Sequence, residues 1–300
     1  MIAYLFPGQG SQFPGMGLQL STRSPDTTRL FARADEMLGF PLTEIMCHGS
    51  AEDLRQTRVT QPAIFLYSVA LSHCMGPSFR PDAAAGHSLG EISALTACGS
   101  LSFEEGLGLV AARAEAMQSA CDQTPGGMAA VIGLADEEVE HICAGVEQGI
   151  VVAANYNCPG QVVISGHVDA VTRAGSLMKE AGARMTVTLE VGGAFHSPLM
   201  APAADALRVA VERATLTPPR CPIYQNFTAS KSSDPELIRH NLLEQLTGPV
   251  RWTQTLQNLF ADGVTACLEV GPGTVLSGLV KKTNRAVGTE SAVCAAEEGT

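Results

Sequence analysis

Ala83-Ala84-Ala85-Gly86-His87-Ser88-Leu89-Gly90-Glu91, continued by Ile92-Ser93-Ala94-Leu95-Thr96-Ala97-Cys98, is the stretch on which the fold turns. Pro81-Asp82 ahead of it signals a turn. The alanines then fit a buried strand, and the small residues after Gly90 fit a helix. Between the two lies Gly86-x-Ser88-x-Gly90. A sharp strand-to-helix turn needs glycine on both sides because the backbone there is strained and closely packed, and it lifts the Ser88 hydroxyl out of the sheet. Backbone N–H groups at the start of the helix, that of Leu89 among them, can then hold an oxyanion. The five-residue pattern also occurs by chance; its setting between strand and helix favours a nucleophile.

Working outward, strand and helix signals alternate, which predicts an α/β fold. The run Ile2–Phe6, stopped by Pro7-Gly8, reads as a buried strand feeding a loop with four glycines between Gly8 and Gly17. That loop has neither the Gly-Lys-Ser/Thr of a Walker loop nor the spacing of a dinucleotide site; it is an anion or oxyanion cradle, or a flexible turn. Gln61-Pro62 opens an apolar helix with proline near its first turn. Residues 104–121 form a helix carrying Arg113 and Met117 one turn apart on one face. From 125 to 191 the signals run β-α-β-β-α-β, with Asp136 capping the first helix, the split βαβ order of a ferredoxin-like unit. Pro125-Gly126-Gly127 and Gly192-Gly193 bracket it. The expected organisation is a large subdomain of residues 1–124 and 193–285, a small inserted one of 125–192, and a frayed tail over 286–300.

Composition bounds the function. The chain has 300 residues, 45% apolar and only 16% charged, so it can bury a real core. Its net charge of −11 makes nucleic acid an improbable partner. Nine cysteines, an odd number without a C-x-x-C pair, fit reduced and mostly buried thiols rather than a disulfide framework or a metal site. The first residues lack the pattern of a signal peptide, and no apolar run is long enough for a membrane span. A cytoplasmic monomer is expected.

A serine nucleophile needs a base. His87 is adjacent in sequence, and neighbours on such a turn point apart. His141, His167 and His240 sit in ordinary surface or packing contexts. His196, in Gly-Gly-Ala-Phe-His-Ser-Pro at the boundary of the inserted unit, is the better placed candidate. Arg113 stands alone among small and apolar residues; a buried guanidinium needs an anion, which is either a distant protein carboxylate or a ligand.

Pro7-Gly8-Gln9-Gly10-Ser11-Gln12, Gly86-His87-Ser88-Leu89-Gly90-Glu91, Arg113, Phe195-His196 and Glu269-Val270-Gly271-Pro272-Gly273 follow one another in an order that resembles the malonyl-CoA:acyl carrier protein transacylase family. These are the acyltransferases of fatty-acid and polyketide synthesis. The resemblance spans about residues 1–285. It implies an α/β-hydrolase-like large subdomain with an inserted ferredoxin-like one. It also implies Ser88 as the acylated nucleophile, His196 as the general base, and the N–H groups of Gln9 and Leu89 as the oxyanion hole. Arg113 would clamp the malonyl carboxylate, for which a planar fork suits better than an ammonium. Gln245, in Glu-Gln-Leu before Gly-Pro-Val, matches the position whose main-chain carbonyl orients the histidine. Phe195 would crowd a methyl branch and favour malonyl over methylmalonyl units. The implied partners are malonyl-CoA and a phosphopantetheinylated carrier protein, with no metal and no tightly bound cofactor. Both partners are acidic, so Lys281, Lys282, Arg285 or Arg251 would attract them locally if they do more than solvate the surface.

Two other readings use the same elbow. A serine hydrolase or thioesterase would want an orienting acid, for which Asp205 is available only after His196, and it leaves Arg113 unexplained. A non-catalytic carrier-binding module would have no need of intact Ser88, His196 and Arg113. The compact chain suits a free-standing enzyme, and Phe195-His196 tilts the expectation toward a trans-acting polyketide acyltransferase over one of fatty-acid synthesis.

Overall fold

Two sheets, drawn from different parts of the chain, organise the computed structural model, which describes residues 1–293. The first half runs β1 (Ile2–Phe6), α1 (Pro25–Leu38), α2 (Leu42–His48), α3 (Thr57–Cys74), β2 (Ala83–Gly86), α4 (Gly90–Ala97), α5 (Phe103–Gln123) and β3 (Gly126–Ile132). Next come α6 (Asp136–Ala144), β4 (Val151–Cys158), β5 (Gln161–His167), α7 (Val168–Glu180) and β6 (Met185–Thr188). The remainder is α8 (Ala201–Arg213), β7 (Ile223–Tyr224), β8 (Lys231–Ser232), α9 (Pro235–Thr247), α10 (Trp252–Ala261), β9 (Ala266–Glu269), α11 (Val275–Thr283) and β10 (Gly288–Ser291).

The larger sheet has the order β10-β9-β1-β2-β7-β8, parallel except for the antiparallel β7–β8 pair. Its central strands are covered on both faces, so they read as continuous apolar or small runs rather than alternating ones. Tyr4 and Phe6 of β1 enter one core cluster, and Ala3 and Leu5 enter another on the opposite face. The second sheet is antiparallel, with the order β4-β5-β3-β6. With α6 and α7 as its helices it is the ferredoxin-like unit expected from the strand and helix signals. A third cluster, including Val131, Ile164 and Met178, lies beneath it. β4 is tied to the segment ahead of α10, where Tyr156 N–H donates to the Val250 carbonyl and Val250 N–H to that of Ala154, at 2.9 and 2.8 Å.

Local expectations fail where tertiary packing or edge position decides. α3 starts at Thr57, so Pro62 lies inside it rather than in its first turn. Most of that helix is buried, and packing outweighs the backbone hydrogen bond that proline forgoes. Ala135 occupies the cap position of α6, and Asp136 is its first residue, where a negative charge still suits the helix N-terminus. The tail expected over 286–300 is structured in its first part: β10 pairs in parallel with β9, Gly288 opposite Ala266 and Ser291 opposite Glu269. A short edge strand needs no apolar alternation, which is why its sequence looked featureless. The rest of that tail, 294–300, lies outside the described residues. Seven cysteines are free thiols, all but Cys47 buried. Cys294 lies outside the described residues. Among the described residues no helix is long and apolar enough to cross a membrane.

Candidate active site

Ser88 sits at the turn between β2 and α4 with φ of 52°, in the left-handed region that non-glycine residues avoid. Such a conformation costs about 1–3 kcal/mol and persists only where the surroundings enforce it. Here they do. A Cβ on Gly86 would lie 1.9 Å from the Gly90 carbonyl, and one on Gly90 would lie 2.0 Å from the Phe6 oxygen. Asn226, in the turn after β7, closes the elbow from the other side. Its Oδ1 accepts the Ser88 N–H and its Nδ2 donates to the Gly86 carbonyl, both at 2.6 Å.

The structure brings His196 to this serine, with Nε2 2.8 Å from Ser88 Oγ. Nδ1 stands 2.9 Å from the main-chain carbonyl of Gln245. A carbonyl can only accept, so Nδ1 carries the proton and Nε2 is left to receive the serine's. His196 is itself left-handed, with φ of 58°, and only 5% exposed. Burial, with the positive charge of Arg113 second, pushes its pKa down to about 3, so the imidazole is neutral and competent as a base. Asp205, the acid a hydrolase triad would recruit, is exposed on α8.

This depressed pKa carries a sign for stability. An unfolded imidazole takes its proton near 6.5 and the buried one only near 3, so between those values the unfolded chain binds the extra proton. Stability attributable to His196 is therefore lost as pH falls below 6.5. From about pH 7 to about pH 5 the wild type is expected to lose roughly 2 kcal/mol relative to His196→Ala. Denaturant melts of both proteins at the two pH values read this directly, and a constant difference would show that the folded imidazole takes its proton at the same pH as the unfolded one.

Arg113 reaches the same point from α5, a helix started by a capping box between Ser102 and Glu105. Its side chain is 2% exposed. Nη1 donates to Gln61 Oε1 on α3 at 2.8 Å; Nη2 donates to Ser88 Oγ at 2.9 Å and to Gln245 Oε1 at 3.3 Å. Burial lowers its pKa to about 10, which leaves it charged at neutral pH. None of these partners is a carboxylate, and the ion pairs among the described residues do not include Arg113. The distant protein carboxylate left open by the sequence is Glu91, which acts on Arg113 by charge without touching it: Gln245 is hydrogen-bonded to both.

Ser88, His196 and Arg113 line one cavity of about 160 Å³. Gln9 and Leu89 line it too, and among the described residues neither N–H donates to a protein acceptor. Met117, Met128, Val191 and Phe195 give it an apolar wall. His87 lines the same cavity but is not hydrogen-bonded to the Ser88 hydroxyl: its Nε2 donates to Asn157 Oδ1 at 2.9 Å, and its ring lies against Trp252. His141 and His240 are exposed, and His167 Nδ1 accepts the Ile150 N–H. All seven site residues singled out in the sequence thus meet within one hydrogen-bonded cavity or its immediate supports. Lys281, Lys282 and Arg285 are exposed, whereas Arg251 is partly buried, donating to the Phe227 carbonyl beside the Tyr156 ring.

Gln61, Glu91 and Asn226 were not singled out. Glu91 carries the same signal as Arg113, a lone charge among small apolar residues, within the elbow motif. Gln61 and Asn226 gave no local signal; each acts through a contact made far along the chain.

The family description "Acyl transferase domain" matches residues 3–297. The chain belongs to this acyltransferase family. It is 44% identical over 291 residues to a malonyl CoA-acyl carrier protein transacylase of Bacillus subtilis, covering 96% of this chain and 92% of that one. Among solved structures it is similar to an acyl carrier protein S-malonyltransferase of Vibrio cholerae, at 40% identity and a TM-score of 0.92, covering 97% of this chain and 96% of that one. It is equally similar, at 40% identity and a TM-score of 0.92, to a malonyl-transacylase in complex with its type II PKS acyl-carrier protein, with coverage of 98% and 96%.

Proposed function

We propose that this acyltransferase moves a malonyl group from malonyl-CoA to the phosphopantetheine thiol of an acyl carrier protein, by a ping-pong route through a malonyl ester of Ser88. The observation that carries the reading is Arg113: a buried, charged guanidinium with no carboxylate hydrogen-bonded to it, 2.9 Å from the attacking oxygen. A malonyl group differs from other short acyl groups by a free carboxylate, and the guanidinium fork is where that carboxylate fits. The names borne by the similar proteins support the same substrate pair.

In the first half-reaction His196 Nε2 takes the Ser88 proton as Oγ attacks the thioester carbonyl. The N–H groups of Gln9 and Leu89 meet the developing oxyanion, and the departing CoA sulfur recovers the proton from His196. The carrier thiol then repeats the sequence in reverse on the serine ester. Exchange of thioester for ester is nearly balanced, so survival of the intermediate depends on keeping water from it. We assign the catalytic groups to the unit formed by residues 1–124 and 193–285, with 125–192 forming the opposite wall through Met128 and Val191.

Intact-protein mass spectrometry tests this. Wild-type protein with malonyl-CoA should gain one malonyl group, keep it in buffer and lose it when a carrier thiol is added. No adduct, or an adduct discharged to water as fast as it forms, overturns the reading, and the second outcome points to a hydrolase or thioesterase.

Phe195, in the apolar wall, is read as the specificity residue. One methyl branch against such a side chain is worth roughly 10–200-fold in kcat/KM. Malonyl-CoA is therefore expected to outcompete methylmalonyl-CoA by that margin, and Phe195→Ala to narrow it. Equal efficiency of the two acyl donors with the wild type would remove the assignment. The pairing Phe195-His196 also favours a trans-acting role for a polyketide synthase over fatty-acid synthesis. Faster transfer to a fatty-acid carrier than to a polyketide carrier would reverse it.

A further inference from the structure

Glu91, one residue past the elbow's second glycine, is wholly buried, and the mechanism above makes no use of it. A buried carboxylate is destabilising unless its oxygens are hydrogen-bonded and its charge is compensated. Three donors reach it, all from outside its own helix. Gln225 Nε2 donates to Oε1 at 3.1 Å, while the Asn226 N–H and Gln245 Nε2 donate to Oε2 at 2.8 and 2.9 Å. Gln225 is in turn fixed by Asn241, whose Nδ2 donates to its Oε1 at 2.8 Å. Burial pushes the Glu91 pKa up to about 7, while these three N–H donors, and after them the positive charge of Arg113, favour its ionised form.

Two of these donors continue to the reacting atoms. Gln245 presents its main-chain carbonyl to His196 Nδ1, and its Nε2 also reaches the Ser88 carbonyl at 3.3 Å. Asn226 fixes the Ser88 N–H and the Gly86 carbonyl. A carboxylate can accept at both oxygens, whereas an amide in its place would present N–H groups to at least one N–H donor. We propose that Glu91 is a positioning residue whose carboxylate, acting through Gln245 and Asn226, holds the Ser88 hydroxyl and the His196 imidazole in line for proton transfer. The proposal rests on the roles given to Ser88 and His196 above.

Three readouts on Glu91→Gln test it: steady-state kinetics, the number of Ser88 sites titrated by malonyl-CoA in the mass spectrometer, and the rate of Ser88 labelling by a small sulfonyl fluoride. Misplacement of reacting groups by a fraction of an ångström is expected to lower kcat per titrated site about thirtyfold, with KM for malonyl-CoA changed by less than about twofold. Labelling should slow by the same factor, because the reagent needs the activated serine and makes no use of Arg113 or the CoA site. If kcat per titrated site stays within about threefold of the wild type, the proposal fails; it fails equally if kcat falls while labelling does not. A loss confined to the number of titratable sites would mean that Glu91 serves folding alone, which also overturns it. If Glu91→Gln does not fold, Glu91→Asp, which keeps the charge but withdraws both oxygens, is read by the same three measures and against the same limits. Failure of the parent reading looks different: the wild type itself would take up no malonyl group at Ser88.

Discussion

Ser88→Ala takes up no malonyl group and transfers malonyl to a carrier at least about 10,000-fold more slowly than the wild type. The expectation follows from how few atoms change. Alanine removes only Oγ, and the elbow that holds position 88 at φ of 52° is enforced by the two glycine contacts and by Asn226, none of which involves the hydroxyl. The fold and the cavity should therefore persist. What is lost is the hydroxyl hydrogen-bonded to His196 Nε2, along with the acceptor of one Arg113 hydrogen bond. Residual transfer would come from binding and the oxyanion donors alone. Mass spectrometry of the malonyl-CoA incubation and a carrier-loading assay check the two parts separately. Transfer within about tenfold of the wild type, with no adduct, would mean that the two thiols exchange directly in a ternary complex, and the ping-pong route would be wrong.

Why Ser88 was legible and its supports were not follows from where each constraint lies along the chain. The elbow is a local object: glycine at 86 and 90 is demanded by contacts that a five-residue window encodes. Arg113 was legible for a related reason, since a charge in an apolar helix contradicts its surroundings whatever the tertiary structure. The inserted unit was visible because each of its strands and helices has its own turn signal, and the antiparallel order follows from short connections. Asn226 is different. Its side chain acts on Ser88 from 138 residues away, and nothing in Ile223-Tyr224-Gln225-Asn226 distinguishes it from an ordinary strand end. Gln61 and β10 failed in the same way, one by a long-range contact and one by pairing along a sheet edge.

The net charge that disfavours nucleic acid also bears on the cavity. A net charge of −11 repels acidic partners at a distance, so recognition of a malonyl carboxylate must come from a site whose own field is positive. Burial supplies that field. Arg113 is removed from water, its hydrogen-bonding partners are neutral, and the carboxylate that compensates it, Glu91, is held off by Gln245 and Asn226. A guanidinium so placed attracts an entering anion more strongly than one exposed to solvent.

Arg113→Ala is accordingly expected to lower kcat/KM for malonyl-CoA about 1,000-fold, because loss of one partner from a buried charge pair costs on the order of 3–5 kcal/mol. For acetyl-CoA the loss should stay within about tenfold, since that substrate presents no carboxylate and forfeits only the contacts by which Nη2 steadies Ser88 Oγ and Gln245. The base is not harmed by the change. The positive charge of Arg113 lowers the His196 pKa, so its removal moves the imidazole toward its ordinary value while burial still holds it down. Arg113→Lys separates charge from geometry. A lysine keeps the positive charge but cannot hold Gln61 and a carboxylate with one planar fork, so it should recover only part of the malonyl preference. Measuring both acyl donors on wild type and both variants gives the ratio that matters. A malonyl-to-acetyl ratio unchanged in Arg113→Ala would mean that the carboxylate is bound elsewhere, and that Arg113 serves only to orient the nucleophile.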